Sequence, residues 1–169
     1  LRDRFGKKLI HQRCAIHKDR NIQKHLTKRY RKEAHHRFRT ALDQNSYEDA
    51  RHMLLSMEKW LRGINESAAD SLMEAIEEIL TLHRLKVPGL LRKTLHSTNP
   101  IESMFSFVRD CEGNIKRYRD SRMMQRWLAA ALLYCEKGFH RIRGYASISE
   151  VMATIDREQA DNVTVKAAA

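Results

Sequence analysis

The chain has few of the residues that interrupt helices, with only two prolines and six glycines among 169 residues. Leucine, alanine, glutamate, lysine and arginine are abundant instead, and such a composition favours α-helices. The sequence also lacks an apolar run long enough to cross a bilayer and shows no secretory signal. We therefore expect a mainly α protein with one buried core and no membrane partner.

Cysteine is scarce as well. The three cysteines, Cys14, Cys111 and Cys135, are widely spaced and odd in number. This arrangement argues against a disulfide framework and favours a reducing, cytoplasmic location. A phosphate-binding glycine loop, a dinucleotide fingerprint and a Ser-His-Asp arrangement are also missing, so the common nucleotide-dependent and acyl-transfer enzymes find no support.

Positive charge is abundant: 32 lysines and arginines face 21 acidic residues, for a net charge of +11. Such a charge attracts a polyanion, either nucleic acid or an acidic membrane surface, although a merely solvated basic surface is the simpler alternative. Two basic clusters, within residues 18–39 and 109–126, flank a mixed to acidic interval, and this favours a surface that tracks phosphates. The residues that we expect to contact DNA are Lys18, Arg20, Lys24, Lys28, Arg29, Lys116, Arg117 and Arg119.

Only residues 7–17 predict a strand, because their apolar positions fit no helical period. A single strand cannot form a sheet, so its partners would have to lie outside the chain. The sequence begins with Leu1 and not with methionine. Together these features lead us to expect a fragment of a larger protein.

Helical spacing and capping residues divide the rest of the chain. Ser46 with Asp49 predicts a helix start, and Gly63 an end; Asn65 or Ser67 caps the next helix, and Pro88 stops that run. The predicted helices cover about residues 19–30, 46–62, 99–113, 121–139 and 151–155. Residues 31–43 form another helix or continue the first, and the run that begins at 65 or 67 is broken at Pro88 and Gly89. In the helix over 121–139, the side chains expected to be buried are Met124, Trp127, Leu128, Ala131, Leu132 and Cys135.

The stretch over residues 96–109 has two interpretations. In the first, Asn99 is an N-cap, Pro100 occupies the first helical position and Glu102 completes a capping box. In the second, Glu102 and Arg109 present a carboxylate and a cation along one face, as an active site would. A buried face is predicted beside them, formed by Ile101, Met104, Phe105 and Val108.

Cys14 and His17 have the spacing of half a zinc site. A structural zinc needs four ligands, and no second Cys/His pair follows at a fitting distance. The alternative is a buried cysteine at a strand end, followed by a hydrogen-bonding histidine.

Taken in order, the two motifs resemble a known family. The segment QRCAIHKDRN, residues 12–21, resembles the QRC-x-x-HK-x-RN block of Mutator-type transposases of bacterial insertion sequences. The segment TNPIES, residues 98–103, with Arg109 after it, resembles the TN-x-IE-x block of that family. A helical interval separates the blocks in both, and the resemblance covers about residues 5–145.

The resemblance implies an RNase H-like fold with an Asp-Asp-Glu triad that binds Mg²⁺ to cut and join DNA. Glu102 matches the triad glutamate and so becomes the expected catalytic and metal-binding residue. Cys14, His17, Asn99 and Arg109 are expected to shape the site.

The resemblance also implies an organisation along the chain. Residues 1–18 would be a residual strand of the core, 19–95 a helical insertion that contacts DNA or a second subunit, 96–145 the core helices with the glutamate, and 146–169 a short helix and tail. A homo-oligomer on DNA is expected.

The two aspartates of the triad lie upstream in the family, and Asp3 and Asp19 stand in the wrong contexts to replace them. We therefore expect the chain alone to be inactive. Two alternatives stay open: a non-catalytic basic helical module that binds DNA or regulates the enzyme, and a helical interaction protein whose charge is incidental.

Overall fold

The computed structural model describes residues 9–167, which are mainly helical and contain no strand. In chain order the α-helices are α1 (Ala15–Lys24), α2 (Lys28–Leu42), α3 (Tyr47–Arg62), α4 (Glu66–Met73), α5 (Ile76–Ile79), α6 (Thr81–Arg84), α7 (Gly89–Leu95), α8 (Asn99–Glu112), α9 (Ser121–Glu136) and α10 (Ile148–Ala167). A 3₁₀ turn, Tyr145–Ser147, precedes the last of them.

The chain divides into two compact units. The first comprises residues 1–97 together with 143–169, and the second comprises residues 98–142. The predicted division into residues 1–18, 19–95, 96–145 and 146–169 stays a prediction.

Helices α1 to α4 form the core of the first unit. Leu54, Met57 and Leu61 recur at spacings of three and four residues on α3 and are fully buried. Phe38 of α2 and Leu72 of α4 belong to the same core, where small alanines let the helices approach closely. Burial of this apolar stripe is the main force that holds these short helices together.

Local capping signals are confirmed in this unit. The Ser46 hydroxyl accepts a hydrogen bond from the amide of Asp49 at 3.0 Å, and α3 ends at Gly63. The Asn65 side chain accepts from the amide of Ala68 at 2.9 Å and caps α4. Each cap satisfies a helix-end amide that has no partner within the helix.

The predicted strand is wrong over residues 9–17; its first two residues lie outside the described part. Residues 9–14 are irregular and α1 already begins at Ala15. The backbone of this segment bonds to helix ends: the Arg13 amide donates to the Glu78 carbonyl at 3.0 Å, and the His11 carbonyl accepts from the Thr81 hydroxyl at 2.7 Å. A neighbouring helix end therefore satisfies the groups that a strand partner would satisfy.

A close approach fixes the start of the last helix. Gly144 has φ +77°, and a Cβ built on it would lie 2.6 Å from the backbone nitrogen of Leu91. Only glycine adopts that conformation without strain and leaves this space empty. Helix α10 is also tied to α6 through the ion pair between Arg84 and Glu158, and it is much longer than the predicted five residues.

The second unit has a small core. Val108, Ala131 and Cys135 are buried between α8 and α9, with Leu128 and Leu132 packed against them. The predicted burial of four further side chains is wrong, since Ile101, Phe105, Met124 and Trp127 are all exposed. Two helices bury only the stripe along their seam, so the outer half of each apolar face stays at the surface.

Candidate functional site

Gln12 anchors the segment that carries the first motif. Its side-chain amide donates to the carbonyl of Ile79 at 3.0 Å, and its carbonyl oxygen accepts from the amide of Leu82 at 3.1 Å. These two backbone groups lie where α5 gives way to α6, and the helical ladder is interrupted there. Gln12 therefore joins the first motif to a helix junction far along the chain.

Cys14 and His17 lie side by side at the start of α1. The Sγ atom of Cys14 and the Nδ1 atom of His17 are 3.1 Å apart. The amide of Ala15, between them, donates to the carbonyl of His96 at 2.8 Å. His96 precedes the second motif by two residues, so the first motif is bonded to the backbone that leads into the second.

The second motif begins α8. Asn99 is the first helical residue and Thr98 occupies the N-cap, so the prediction of Asn99 as N-cap is wrong. The Thr98 hydroxyl donates to the carboxylate of Glu102, and the Glu102 amide donates to the Thr98 carbonyl at 2.9 Å. The backbone and the side chain of Thr98 therefore both contact Glu102. The helix begins one residue earlier than the capping pattern indicates.

Glu102 is exposed on the first turn of α8. Helix N-termini carry a partial positive charge, which attracts acidic side chains. Arg109 lies two turns further along and is also exposed, with its Nε donating to the carbonyl of Phe105 at 3.3 Å. Asn99 is exposed beside the start of the helix.

One carboxylate does not complete a magnesium site, because Mg²⁺ requires near-octahedral oxygen coordination. Among residues 9–167, no three His, Cys, Asp or Glu side chains cluster so that they could hold a metal ion. The described residues therefore do not fit a bound Mg²⁺ by themselves. The Cys14 and His17 pair likewise has no further ligand there that would complete a zinc site.

Most of the predicted DNA contacts are on the surface. The exposed ones are Arg20, Lys24, Lys28, Arg29, Lys116, Arg117 and Arg119. The guanidinium of Arg29 lies 5.5 Å from the ring centre of Tyr30, and Tyr30 meets Trp60 edge to face. Trp60 is half-buried against the core.

Lys18 is the exception, and its assignment to the DNA-binding surface is wrong. It is only 2% exposed, and its Nζ lies 2.5 Å from a carboxylate oxygen of Glu74 and 2.8 Å from the Ser71 carbonyl. The hydrogen bond from Lys18 holds the pKa of Glu74 below its usual value. The spacing of Ala15, Lys18 and Ile22 places Lys18 on the inner face of α1, and this signal in the sequence was missed.

A second polar contact joins α1 to α2. Asp19 is buried, and one of its carboxylate oxygens lies 2.6 Å from Nδ1 of His35. The other oxygen is buried without a donor among the described residues. Asp19 and His35 line a groove of about 450 Å³ along the seam of the two helices. Sequence reasoning did not single out either residue as part of a site.

The end of α2 rests on two buried side chains, His83 and Arg92. Nε2 of His83 lies 3.2 Å from the carbonyl of Leu42, and Arg92 donates to the carbonyl of Gln44 at 2.7 Å. Burial, followed by the nearby charge of Arg92, lowers the pKa of His83 to about 4. These contacts satisfy carbonyls at a helix C-terminus, so their role is structural.

Comparison with known proteins gives one match. The family described as "Transposase, Mutator family" matches residues 4–141 of the chain, a range that includes both motifs. No curated protein and no solved structure matches significantly. In the part of the chain that the structure describes, no helix is long and apolar enough to span a membrane.

Proposed function

Because the chain belongs to the Mutator family of transposases and hence to the machinery of DNA transposition, we propose that Glu102 is its catalytic, metal-binding carboxylate. The observation that carries this proposal is the placement of Glu102 on the first turn of α8, exposed and held by Thr98. Restricting a carboxylate in this way aims it before a ligand arrives, which is how effective sites are organised.

We further propose Mg²⁺ as the metal, with Glu102 as one ligand of an Asp-Asp-Glu set in an RNase H-like fold. Carboxylate oxygens are the ligands that Mg²⁺ prefers. Asp19 does not suit the set, since it is buried against His35. The remaining carboxylates therefore have to be supplied in addition to the described residues, and the chain alone is expected not to cut or join DNA.

DNA is the proposed partner of the exposed basic residues. Arg20, Lys24 and Lys28 are on α1 and α2, whereas Lys116, Arg117 and Arg119 follow α8. Exposed lysines and arginines release counterions when they meet phosphates, and this makes the affinity strongly dependent on salt. A homo-oligomer on DNA is proposed as the working form, with Cys14, His17, Asn99 and Arg109 shaping the site.

Substitution of Glu102 tests the catalytic role. In the protein encoded by the complete reading frame, Glu102→Ala should reduce Mg²⁺-dependent strand transfer at least about a thousandfold, because a metal ligand is lost. DNA binding and the melting temperature should stay within error of wild type, since the side chain is exposed. Strand transfer on a plasmid target, DNA binding by anisotropy and thermal melting measure the three quantities.

Asp110→Ala is the matched control, because Asp110 is an exposed carboxylate on the same helix. It should leave strand transfer within about twofold of wild type. Full activity of Glu102→Ala together with lowered stability would show that Glu102 only caps α8. Robust strand transfer by the 169-residue chain alone would contradict the expected need for further carboxylates.

A second candidate function is a basic helical module that binds DNA and regulates transposition without chemistry. It is favoured by the single exposed carboxylate of the second motif beside many exposed cations. A competition assay separates the two functions: a regulator inhibits the active transposase by occupying its DNA, and Glu102→Ala inhibits equally well. If Glu102 is catalytic, Glu102→Ala should abolish strand transfer when it is introduced into the active enzyme.

A further inference from the structure

The groove between α1 and α2 combines an apolar floor with charged rims. Ile16, Phe38 and Leu42 contribute apolar surface, while Arg20 and Arg39 stand at the groove and are exposed. Its volume of about 450 Å³ is that of a small-molecule site and exceeds what a single water or ion needs. An apolar slot between two cations suits a flat ring that carries a phosphate.

The positive charge continues along both helices. Lys24 lies one turn beyond Arg20 on α1, and Arg31 lies one turn before His35, which is one turn before Arg39 on α2. Residues four apart share a helix face, so each helix presents a row of cations next to the groove. The two rows match the negative charge of a polynucleotide backbone and do not match a neutral ligand.

Two side chains of the groove can read a ring edge. Gln23 is half-exposed and offers both an amide donor and a carbonyl acceptor. Asp19 keeps one oxygen with His35, and its second oxygen has no donor among the described residues. A buried acceptor without a donor is costly, and because this oxygen is shielded from solvent, a ring N–H or amino group of a ligand supplies the donor only when the side chains around it shift on binding.

From the apolar floor, the two cationic rows and the polar groups Gln23 and Asp19, we propose that this groove binds one unpaired nucleotide of DNA. The base enters the groove, where it meets Ile16, Phe38 and Gln23, and the flanking phosphates lie on Arg20 and Arg39. Unpaired bases are bound by just such pairing of apolar contacts with edge hydrogen bonds. This inference rests on the proposed binding of DNA and adds a preference for DNA that contains an unpaired base.

Binding of the chain to three short labelled DNAs, followed by fluorescence anisotropy, tests the proposal. The DNAs are a blunt duplex, the same duplex with one unpaired 3′ nucleotide, and that duplex with an abasic residue as the overhang. The unpaired nucleotide should tighten binding about tenfold, as expected for one buried base. The abasic overhang should bind like the blunt duplex, because it adds a phosphate without a base.

Variants place the effect in the groove. Gln23→Trp fills the groove and should abolish the tenfold preference while blunt-duplex binding is kept; Gln23→Ala should reduce the preference severalfold. Met73→Trp, a large residue at an exposed apolar position of α4 outside the groove, should keep the preference.

Equal affinity of wild type for the three DNAs overturns the groove proposal alone. A preference that survives in both Gln23 variants or with the abasic overhang also overturns it, whereas failure to bind any of the DNAs overturns the proposed DNA binding as well.

Discussion

Both units expose basic residues, but only the first unit buries polar side chains. In the first unit, Lys18, Asp19, His83 and Arg92 are buried and bond to groups from other helices. In the second unit, Glu102 and the cations after α8 are exposed, and only Val108, Ala131 and Cys135 are buried. Buried polar groups specify how helices fit together, whereas exposed ones are available to DNA and metal.

The difference teaches that the two motifs of one family can have different roles, one structural and one functional. The first motif is bonded to Ile79, Leu82 and His96 and so organises the backbone. The second motif carries the exposed carboxylate of Glu102. We therefore expect substitutions of the buried polar residues of the first unit to reduce stability, and substitutions in the second motif to reduce activity.

The largest stability effect is expected for Lys18→Ala. It removes a fully buried side chain and leaves the Ser71 carbonyl without its charged donor. The free energy of unfolding should fall by about 3 kcal/mol, as measured by urea denaturation. Lys24→Ala, an exposed lysine on the same helix, should change it by less than about 0.5 kcal/mol. If Lys18→Ala and Lys24→Ala lower the free energy of unfolding equally, then burial of Lys18 does not stabilise the first unit.

Acid should weaken the first unit through His83. Its pKa is about 4 in the folded protein and 6.5 in the unfolded chain, so protonation favours unfolding. The stabilisation is complete above pH 6.5 and is lost as the pH falls toward 4. A difference of one in pKa corresponds to about 1.4 kcal/mol, so the difference of about 2.5 predicts a loss of about 3 kcal/mol by pH 4.

The matched variant is His83→Gln, which keeps an N–H for the Leu42 carbonyl but does not titrate. Subtracting its unfolding free energies from those of wild type across pH 4–7 isolates the histidine from the acidic residues. A flat difference curve would show that His83 has an ordinary pKa and accepts a proton within the fold.

The smallest stability effect is expected in the second motif. Thr98→Val removes the hydroxyl that holds the carboxylate of Glu102 and keeps the shape of the side chain. In the protein encoded by the complete reading frame, strand transfer should fall about tenfold, because the carboxylate loses its restraint. The free energy of unfolding should change by less than about 0.5 kcal/mol. Thr98→Ser keeps the hydroxyl and should restore activity. If Thr98→Val destabilises the protein as strongly as Lys18→Ala, then the second motif is structural too.

Features that depend on neighbouring residues could be read from the sequence. The caps by Ser46 and Asn65 and the helix end at Gly63 involve side chains and amides within a few residues, so local pattern suffices. The strand prediction failed because the partners of residues 9–14 are helix ends about 70 positions away. The prediction of Asn99 as the N-cap was wrong because the Glu102 amide already bonds to the Thr98 carbonyl, which places Asn99 inside the helix.

By itself, the sequence determined the helical class, the basic surface and the two motifs that mark a Mutator transposase, because composition, period and spacing are properties of the chain. Only the tertiary structure decided that Lys18 belongs to the interior and that Asp19 meets His35 across two helices. It also decided that the outer faces of α8 and α9 stay exposed. Burial depends on which surfaces meet in space, and a linear pattern does not contain that information.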